Sequence, residues 1–370
     1  MSNLFMAHSS EIFSLYLSDE EMVSAVSDDA LVKKMLHFEI ALANAQAKLK
    51  MIPSTAAREI SSVLSSIKIS PADLADSAIQ HGAPVLGLLT MAKEKLSKET
   101  RKWIHYGATS QDAMDTALVL ILREAMNIIL GRTASLNQQL KKIRKKFGHV
   151  PCMARTRDQL ALPIRFGFKM NTWIQPFQRQ MQRIREILPR LYRLQLGGAV
   201  GDGQIYASKG AALIRALSAQ LELSDSDSWH SQRDVFCELT NWLAIHSGIL
   251  GKMGADILVM SQSEVGELTE HPNGGKSSSM IHKRNPVLSE ALVAIATLNA
   301  NAQSVQLESL VHKNERDGTA LILEWINIPQ MLIHTAVSLK HAQSIWKSMI
   351  IHGEVMKKNV EAFLKNYENR

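Results

Sequence analysis

Apolar residues recur every three or four positions through the first hundred residues, which is the period of an amphipathic helix. Between residues 29 and 50 the apolar positions that share one helical face are Leu31, Met35, Phe38, Leu42, Ala45 and Leu49. A later helix is predicted to begin at Ser70-Pro71, because serine is a common N-cap and proline fits the first helical position. Residues 1–100 are therefore expected to form a compact domain of short helices.

Beyond residue 100 the helical pattern extends over much longer stretches. Five long helices are predicted, at residues 110–146, 163–196, 230–268, 286–312 and 318–350. Pro176 and Pro189 are expected to kink the second, and Pro329 lies inside the fifth. Helices far above the usual ~11–12 residues indicate a long-helix bundle. No stretch alternates convincingly between apolar and polar residues, so the fold is predicted to be all-α, without a sheet.

One predicted helical stretch, residues 239–260, is apolar around much of its circumference. A helix that is apolar on most faces is buried on most faces. In a chain of 370 residues this indicates that the bundle continues across subunits, so a homo-oligomer is expected on physical grounds alone.

Composition narrows the class of protein. Hydrophobic residues make up 46% of the chain, while Gly (19) and Pro (10) are scarce, which disfavours loop-rich and all-β folds. The net charge of +7 fits a mildly basic surface or an anion-attracting cleft. Nucleic-acid binding is not expected, because the basic residues are interleaved with acidic ones, and the basic cluster at residues 141–146 complements the dipole of a helix end.

Cysteine content and targeting patterns bear on the cellular location. Cys152 and Cys237 form neither a disulfide framework nor a metal motif, which fits a reducing cytoplasm. The N-terminus lacks the pattern of a secretory signal, and no uninterrupted apolar stretch is long enough to span a bilayer. We therefore expect a cytoplasmic protein with no membrane contact, no metal and no nucleotide cofactor.

The residues with candidate chemistry lie where the long helices begin or end. The first such segment, residues 105–112, gathers His105, Thr109, Ser110 and Gln111 around one predicted helix start. Thr109 and Ser110 are typical capping residues, and capping alone is one explanation for them. Hydroxyl, amide and imidazole groups at a helix N-terminus also suit an anion, such as a substrate carboxylate.

Two further segments place arginines at helix ends. Before a helix predicted to open at Pro163, residues 154–159 include Arg155, Thr156, Arg157 and Gln159. These residues suit a carboxylate, although a salt bridge between Asp158 and a neighbouring arginine explains them equally well. Arg316 lies at the turn between two long helices, where a solvated turn and a binding role are equally compatible with the sequence.

A glycine- and serine-rich segment, residues 274–286, precedes the fourth long helix. It carries Ser277, Ser278, Met280, Lys283 and Asn285. A flexible linker does not need methionine, lysine and asparagine in close succession. A closing loop that carries a proton-transfer group can use glycine hinges and a small hydroxyl, so a mobile catalytic loop is predicted.

Together these segments resemble the fumarase/aspartase superfamily of lyases and cycloisomerases. The superfamily's signature loop, G-S-S-x-M-P-x-K-x-N-P, is matched by Ser277, Ser278, Met280, Lys283, Asn285 and Pro286. The run TSQD from Thr109 resembles the first signature region, and Arg155-Thr156 resembles the second. The runs GATSQD, QLGGAVG, SWHSQRD and ERDGTALILEW are similar to those of 3-carboxy-cis,cis-muconate cycloisomerases, and the resemblance spans about residues 12–350.

This resemblance implies an all-α, long-helix bundle of the fumarase/aspartase type. Its domains would be a smaller N-terminal helical domain at residues 1–100, a central bundle at 101–350 and the remnant of a truncated C-terminal domain at 351–370. The central bundle would hold both the oligomerisation core and the active site. The family also implies a homotetramer in which each active site is shared between three subunits.

The resemblance further implies a cofactor-free conversion of 3-carboxy-cis,cis-muconate into 4-carboxymuconolactone, in the protocatechuate branch of the β-ketoadipate pathway of aromatic catabolism. Ser277 matches the superfamily's proton-transfer serine, His105 is the second candidate for that step, and Lys283 would stabilise the developing carboxylate charge. The residues expected to bind the small polycarboxylate substrate are Thr109, Ser110, Gln111, Arg155, Thr156, Arg157, Gln159, Ser278, Met280, Asn285 and Arg316.

Several positions depart from the family pattern, among them Asp202, which stands where a threonine often follows the QLGGAxG run. Lys276 replaces the glycine before the first serine, and Ile281 replaces the signature proline. Arg157 stands where adenylosuccinate-lyase-like members have histidine and many cycloisomerases have tryptophan, which counts against adenylosuccinate lyase. Two alternatives stay open: another lyase of the superfamily, acting on an adenylosuccinate- or argininosuccinate-type substrate, and a catalytically impaired paralogue.

Overall fold

Helices make up most of the protein, as the sequence predicts. The structure, a computed structural model, describes residues 10–368. Its helices are α1 (Ser14–Leu17), α2 (Glu20–Ala25), α3 (Asp28–Lys48), α4 (Ser54–Ser66), α5 (Ala75–His81), α6 (Val85–Lys95), α7 (Ser110–Phe147), α8 (Phe166–Leu191), α9 (Gly210–Leu221), α10 (Asp234–Met260), α11 (Val287–Glu308), α12 (Gly318–Ser348) and α13 (Gly353–Glu368). Shorter elements are the 3-10 helices Pro71–Leu74 and Gln204–Lys209 and the strands β1 (Pro151–Thr156), β2 (Gln159–Arg165), β3 (Leu268–Thr269) and β4 (Ile350–Ile351).

The N-terminal helices confirm the predicted pattern. α3 covers nearly the predicted span, and the Ser27 hydroxyl caps it by accepting the Ala30 N–H at 3.2 Å. The predicted apolar face is buried at Met35, Phe38, Leu42 and Ala45. Ser70 and Asp73 form a capping box at the 3-10 helix Pro71–Leu74, so a helix does begin at the predicted Ser70-Pro71.

The five predicted long helices are α7, α8, α10, α11 and α12. α7 is the longest of these at 38 residues, and its bounds match the prediction to within one residue. α10 is shorter than predicted, because the chain leaves the helix at Met260 and turns through Gly266, which has a φ of +59°. Pro176 and Pro189 lie inside α8, and Pro329 lies inside α12.

The prediction of a fold without strands is wrong at residues 151–165, where several predicted site residues lie. β1 and β2 form an antiparallel hairpin, called the hairpin below, with Met153 paired to Pro163. Pro163 therefore does not open a helix, and α8 begins at Phe166 instead. A two-stranded hairpin has only edge strands, so a proline without an N–H donor is tolerated there. Strands β3 and β4 form a second, shorter pair.

The long helices pack side by side as a bundle. α10 lies along α8 and α11, while α12 lies along α7 and α11. Two glycines of α10 allow this helix to approach α11 closely. A Cβ on Gly251 would lie 2.5 Å from Ala296 Cβ, and a Cβ on Gly254 would lie 2.7 Å from the Ser289 carbonyl oxygen. Large buried rings, including Trp173 and Trp242, fill the space between the helices.

Two of these helices, α10 and α12, are long and strongly apolar. α10 and α12 could cross a membrane by length and composition, yet half or more of each apolar window is buried inside the protein, as in the core helices of soluble proteins. Apolar side chains nonetheless remain 38–57% exposed on α11 and α12, at Leu298, Val305, Ile322 and Ile326. The continuation of the bundle across subunits stays a prediction. The domain limits at residues 100 and 350 also stay predictions.

Candidate active site

The first predicted segment forms the N-terminus of α7. Thr109 is the N-cap residue, and its backbone N–H donates to Asp112 Oδ2 at 3.0 Å, which closes a capping box. Ser110 is the first residue of the helix and is half-buried, whereas Gln111 is buried. Capping therefore accounts for Thr109, but it does not account for Gln111, whose side chain has partners elsewhere.

Asp112 connects this helix start to the loop at residues 195–201, which has the sequence QLGGAVG. Its carboxylate accepts the backbone N–H groups of Gly197 at 2.8 Å and Gly198 at 2.9 Å. His230 Nε2 lies 2.8 Å from the same carboxylate. The helix dipole also favours a negative charge here. Asp112 thus holds in place the loop that presents the Ala199 carbonyl to the site.

Arg316 joins the helix start from the turn between α11 and α12. Its guanidinium donates to three oxygens: Gln111 Oε1 at 2.8 Å, the Ala199 carbonyl at 3.0 Å and Thr109 Oγ1 at 3.2 Å. The side chain remains exposed at the protein surface. The structure therefore brings together three predicted site residues, and it leaves a solvent-facing cation at a helix N-terminus.

The orientation of Gln111 is fixed by residues behind it. Its Nε2 group donates to Asp115 Oδ2 at 3.1 Å and to the His230 carbonyl at 2.8 Å, so both amide hydrogens are used and Oε1 must face the arginine. Asp115 is itself paired with Arg233, at 2.8 and 2.9 Å. Arg233 also contacts Glu324 on α12, through hydrogen bonds of 3.1 Å and one shorter contact.

These three ionised side chains, Asp115, Arg233 and Glu324, form a buried ion cluster. All three side chains are 0% exposed. Burial raises the pKa of Glu324 above its ordinary value, although Arg233 opposes the rise and Asp115 adds to it. Burial would lower the pKa of Arg233, but the two carboxylates outweigh it and the pKa is raised. The cluster contacts Gln111 through Asp115 and so supports the orientation of its side chain.

His105 lies at the start of the same segment in a left-handed backbone conformation, with a φ of +59°. Its Nδ1 atom is 2.5 Å from a carboxylate oxygen of Glu39, a buried residue of α3. Burial alone would lower the pKa of His105, but Glu39 outweighs it, so the pKa is raised above the ordinary value. Together, His105, Thr109, Gln111 and Arg316 are called the helix-start cluster below.

The second predicted segment lies at the tip of the hairpin. Arg157 and Asp158 form its two-residue turn, with φ values of +50° and +62°, which is the geometry of a type I′ turn. Thr156 and Gln159 pair across the turn, and both are exposed, as is Arg157. Between residues 10 and 368 there is no ion pair between Asp158 and an arginine, so that alternative explanation does not hold.

Arg155 differs from its neighbours because it points inward. Its Nη1 atom is buried 3.8 Å from Glu267 Oε2, and neither atom has a hydrogen-bond partner among the described residues. Burial raises the pKa of Glu267, against the opposing effects of Asn359 and Arg155. The Arg155 charge is therefore directed at a buried carboxylate and away from the exposed turn.

The glycine- and serine-rich segment, residues 274–286, is called the serine loop below. Its base is closed by Gly275, whose carbonyl accepts the Asn285 N–H at 2.8 Å, and a Cβ on Gly275 would lie 1.9 Å from Asn285 O. Ser277 Oγ accepts the N–H groups of Met280 at 3.1 Å and Ser279 at 3.3 Å, so this hydroxyl caps a turn within the loop. The predicted residues of the outer loop, Ser278, Met280 and Lys283, are exposed.

The predicted residues thus fall into three separate groups within one chain: the helix-start cluster, the hairpin and the serine loop. Among residues 10–368 no hydrogen bond or ion pair joins any two of these groups. Apolar side chains lie exposed beside them, at Leu160, Leu162, Val200 and Ile205. Within one chain, these bonds therefore do not connect the predicted residues into one network.

Residues 10–368 contain no group of three or more His, Cys, Asp or Glu side chains placed to hold a metal ion, and the expectation of a metal-free protein stays a prediction. An apolar cavity of about 390 Å³ lies between α3, α7 and α12, lined by residues such as Met35, Met114 and Trp325. It contains none of the predicted site residues, and its lining does not suit a polycarboxylate.

Sequence reasoning missed the buried residues that support the site, which are Glu39, His230, Arg233, Glu267 and Glu324. The family-like run SWHSQRD contains both His230 and Arg233, so this motif could have pointed to them. Glu39 interrupts the apolar face of α3 next to Phe38, which was also a detectable sign. The run ERDGTALILEW likewise contains Glu324. No local pattern marks Glu267, because its partners lie far away in the sequence.

Comparison with known proteins identifies the family and supports the fold. Residues 9–298 match the protein family described as Lyase. The chain is 33% identical over 360 residues to 3-carboxy-cis,cis-muconate cycloisomerase of Acinetobacter baylyi, covering 95% of this chain and 80% of the relative. It is 32% identical over 350 residues to N-acetyl-S-(2-succino)cysteine lyase of Enterococcus italicus, covering 93% and 76%. The crystal structure of the 3-carboxy-cis,cis-muconate lactonizing enzyme from Pseudomonas putida matches with a TM-score of 0.90 at 32% identity, covering 95% and 80%.

Proposed function

This chain belongs to the lyase family within the fumarase/aspartase superfamily, and from that premise we propose that it interconverts 3-carboxy-cis,cis-muconate and 4-carboxymuconolactone without a cofactor. The observation that carries the proposal is Arg316, held at the N-terminus of α7 by Thr109, Gln111 and the Ala199 carbonyl. A fixed guanidinium beside a helix N-terminus is a site for a carboxylate. The proposed substrate carries three carboxylates.

The proposed chemistry is an intramolecular addition. A carboxylate oxygen of the substrate attacks the double bond, a C–O bond forms, and negative charge moves onto the carboxyl group beside the neighbouring carbon. Lys283 and Asn285 stabilise that charge, and a proton then forms the new C–H bond. Ser277 is the favoured donor and His105 the alternative, while Arg157 and Arg316 bind carboxylates. Arg155, which the sequence also predicted as a carboxylate ligand, faces the buried Glu267.

The proposed active site is shared between the subunits of a homotetramer. The arrangement is supported by the absence, among residues 10–368, of any hydrogen bond or ion pair that joins the helix-start cluster, the hairpin and the serine loop within one chain. The exposed apolar side chains beside them, at Leu160, Leu162, Val200 and Ile205, would be covered by partner subunits. We place the protein in the cytoplasm, where its two buried free cysteines remain reduced.

A second candidate function is cleavage of N-acetyl-S-(2-succino)cysteine. It is favoured by the relative of that name, which matches this chain as well as the cycloisomerase does. Elimination from that thioether would give fumarate and N-acetylcysteine, and the same cations would bind its succinyl carboxylates. Both candidates require stabilisation of charge beside a carboxyl group.

An assay of the purified protein with each substrate separates these functions. With 3-carboxy-cis,cis-muconate we expect loss of the ultraviolet absorbance of the conjugated diene and formation of the lactone. Fumarate and free thiol from N-acetyl-S-(2-succino)cysteine, without any loss of the muconate absorbance, would show that the second candidate is correct. Turnover of neither substrate, by a folded tetramer, would favour the impaired paralogue.

A further inference from the structure

A single buried carboxylate, that of Glu39, faces the helix-start cluster from α3. Its side chain is 1% exposed, and its helix neighbours Met35, Phe38 and Leu42 belong to the apolar core. One oxygen lies 2.5 Å from His105 Nδ1, while the other has no partner among the described residues. A buried carboxylate with an unsatisfied oxygen costs stability, so its presence beside a candidate site residue points to a role in that site.

The same helix also holds the backbone around His105. Gln46, seven residues after Glu39 and therefore on the same helical face, donates to the Tyr106 carbonyl at 2.6 Å. On the other side, the Tyr206 hydroxyl donates to the Gly107 carbonyl at 2.8 Å. These contacts fix the left-handed backbone at His105, so that the imidazole is held both by its ring and by its main chain.

The contact with Glu39 determines which ring nitrogen is available. A carboxylate accepts a hydrogen bond, so Nδ1 carries the hydrogen and Nε2 is the free nitrogen of the ring. The His105 side chain is 13% exposed, and the described hydrogen bonds use only its Nδ1 atom. Nε2 is therefore the atom that can meet a ligand.

We propose that Glu39 is a positioning residue for His105: its carboxylate holds the Nδ1–H group and so presents Nε2–H as a cationic donor to one carboxylate of the bound substrate. This inference rests on the proposed function for the substrate class, because it requires a polycarboxylate. It adds a further cation to the arginines and the lysine already assigned. His105 contacts the ligand, and Glu39 acts only through His105.

The charges that face His105 determine its titration. Glu39 on α3 and Asp112 on α7 raise its pKa, while burial and Lys93 on α6 lower it, and the net direction is upward. The nearby Tyr206 stays neutral, because burial raises the pKa of its hydroxyl well above the ordinary value. Replacement of Glu39 by glutamine removes the main cause of the rise, so His105 should lose its proton at a lower pH.

Histidine titration and ligand binding provide the test, with Glu39→Gln as the variant and Gln46→Met as the matched control. Gln46→Met removes an uncharged contact from the same helix to the same segment. NMR of 13C-labelled histidine, with the His105 resonance assigned by its loss in His105→Asn, should show titration at lower pH in Glu39→Gln alone. Tricarballylate, a simple tricarboxylate, should bind Glu39→Gln about tenfold more weakly than the wild-type protein at pH 8, the size expected when one hydrogen bond to a charged group is lost. The loss should be smaller at pH 6, where more of His105 keeps its proton.

Two results would overturn the inference: an unchanged His105 titration in Glu39→Gln, or an equal loss of tricarballylate affinity at pH 6 and pH 8. If Glu39→Gln does not fold, Glu39→Asp replaces it, since a shorter carboxylate should shift the titration part of the way. Titration and tricarballylate binding need no turnover. A protein inactive on the muconate that still shows both effects would refute the proposed reaction and leave the role of Glu39 standing.

Discussion

Replacement of Arg233 by methionine should cause one of the largest losses of stability available to a single substitution in this protein. Arg233 is the only cation of the buried ion cluster and bonds to both Asp115 and Glu324, with all three side chains 0% exposed. The Cζ atom of the Arg233 guanidinium lies 5.2 Å from the ring centroid of Trp229 and 4.7 Å from that of Phe236. Methionine keeps an apolar side chain against these two rings. The loss is therefore mainly electrostatic, and removal of one partner from a buried ion pair costs roughly 3–5 kcal/mol.

The pH dependence of this loss has a definite sign. Burial already raises the pKa of Glu324, and Arg233 opposes that rise. Without Arg233 the pKa rises further, so the folded variant takes up a proton that the unfolded chain does not bind. Its stability should then be greatest at acid pH and fall as pH rises through the raised pKa. Arg233→Met should accordingly be less destabilised at pH 5 than at pH 8.

Denaturant unfolding at a fixed protein concentration measures the change in the free energy of unfolding. Arg190→Met is the matched control, because Arg190 makes the same two-pronged contact with Glu238, at 2.9 and 3.0 Å, but on the surface. Because water screens that exposed pair, Arg190→Met should change the free energy of unfolding only slightly. Equal losses for Arg190→Met and Arg233→Met, or a loss for Arg233→Met that does not change between pH 5 and pH 8, would refute the reasoning.

Two further predictions concern catalysis and acid stability. Lys283→Met should raise KM and lower kcat, with a loss of roughly 3–4 kcal/mol in transition-state stabilisation. Ser277→Ala should lower kcat by about 10²–10⁴-fold and leave KM nearly unchanged. If Ser277→Ala keeps a near-wild-type kcat while His105→Asn is inactive, the proton transfer is assigned to His105. Burial lowers the pKa of His246 to about 3, so the unfolded chain binds a proton that the folded chain excludes, and stability should fall by roughly 1.4 kcal/mol per pH unit below about 6.5. His246→Leu should show a flatter dependence on pH in denaturant unfolding, and an unchanged slope would count against this assignment.

The fold was largely predictable because its local patterns are strong. The Thr109–Asp112 capping box, the long proline-free stretch after it and the helical apolar spacing of α3 identify these helices in the sequence. The hairpin was not predictable in the same way. Its strands are short and its burial pattern does not alternate, and Pro163 is as compatible with a helix start as with an edge strand.

The candidate site was only partly predictable, for a different physical reason. Helix ends with unusual polar residues marked Thr109, Gln111 and Arg316, and the structure does bring these together. The support beneath them depends on contacts between distant parts of the chain, such as Arg233 with Glu324, 91 residues apart. Spacing in the sequence contains no information about such pairs unless the helices that carry them are already placed.

The claim that one active site draws on more than one chain is tested most directly by mixing two inactive variants. Arg316→Met removes the carboxylate-binding cation of the helix-start cluster, and Lys283→Met removes the charge-stabilising group of the serine loop. After joint denaturation and refolding, hybrid tetramers should contain some sites with both native residues, so that activity on the proposed substrate exceeds the sum of the two separate variants. Hybrid tetramers that native mass spectrometry detects but that show no gain in activity would contradict a shared site.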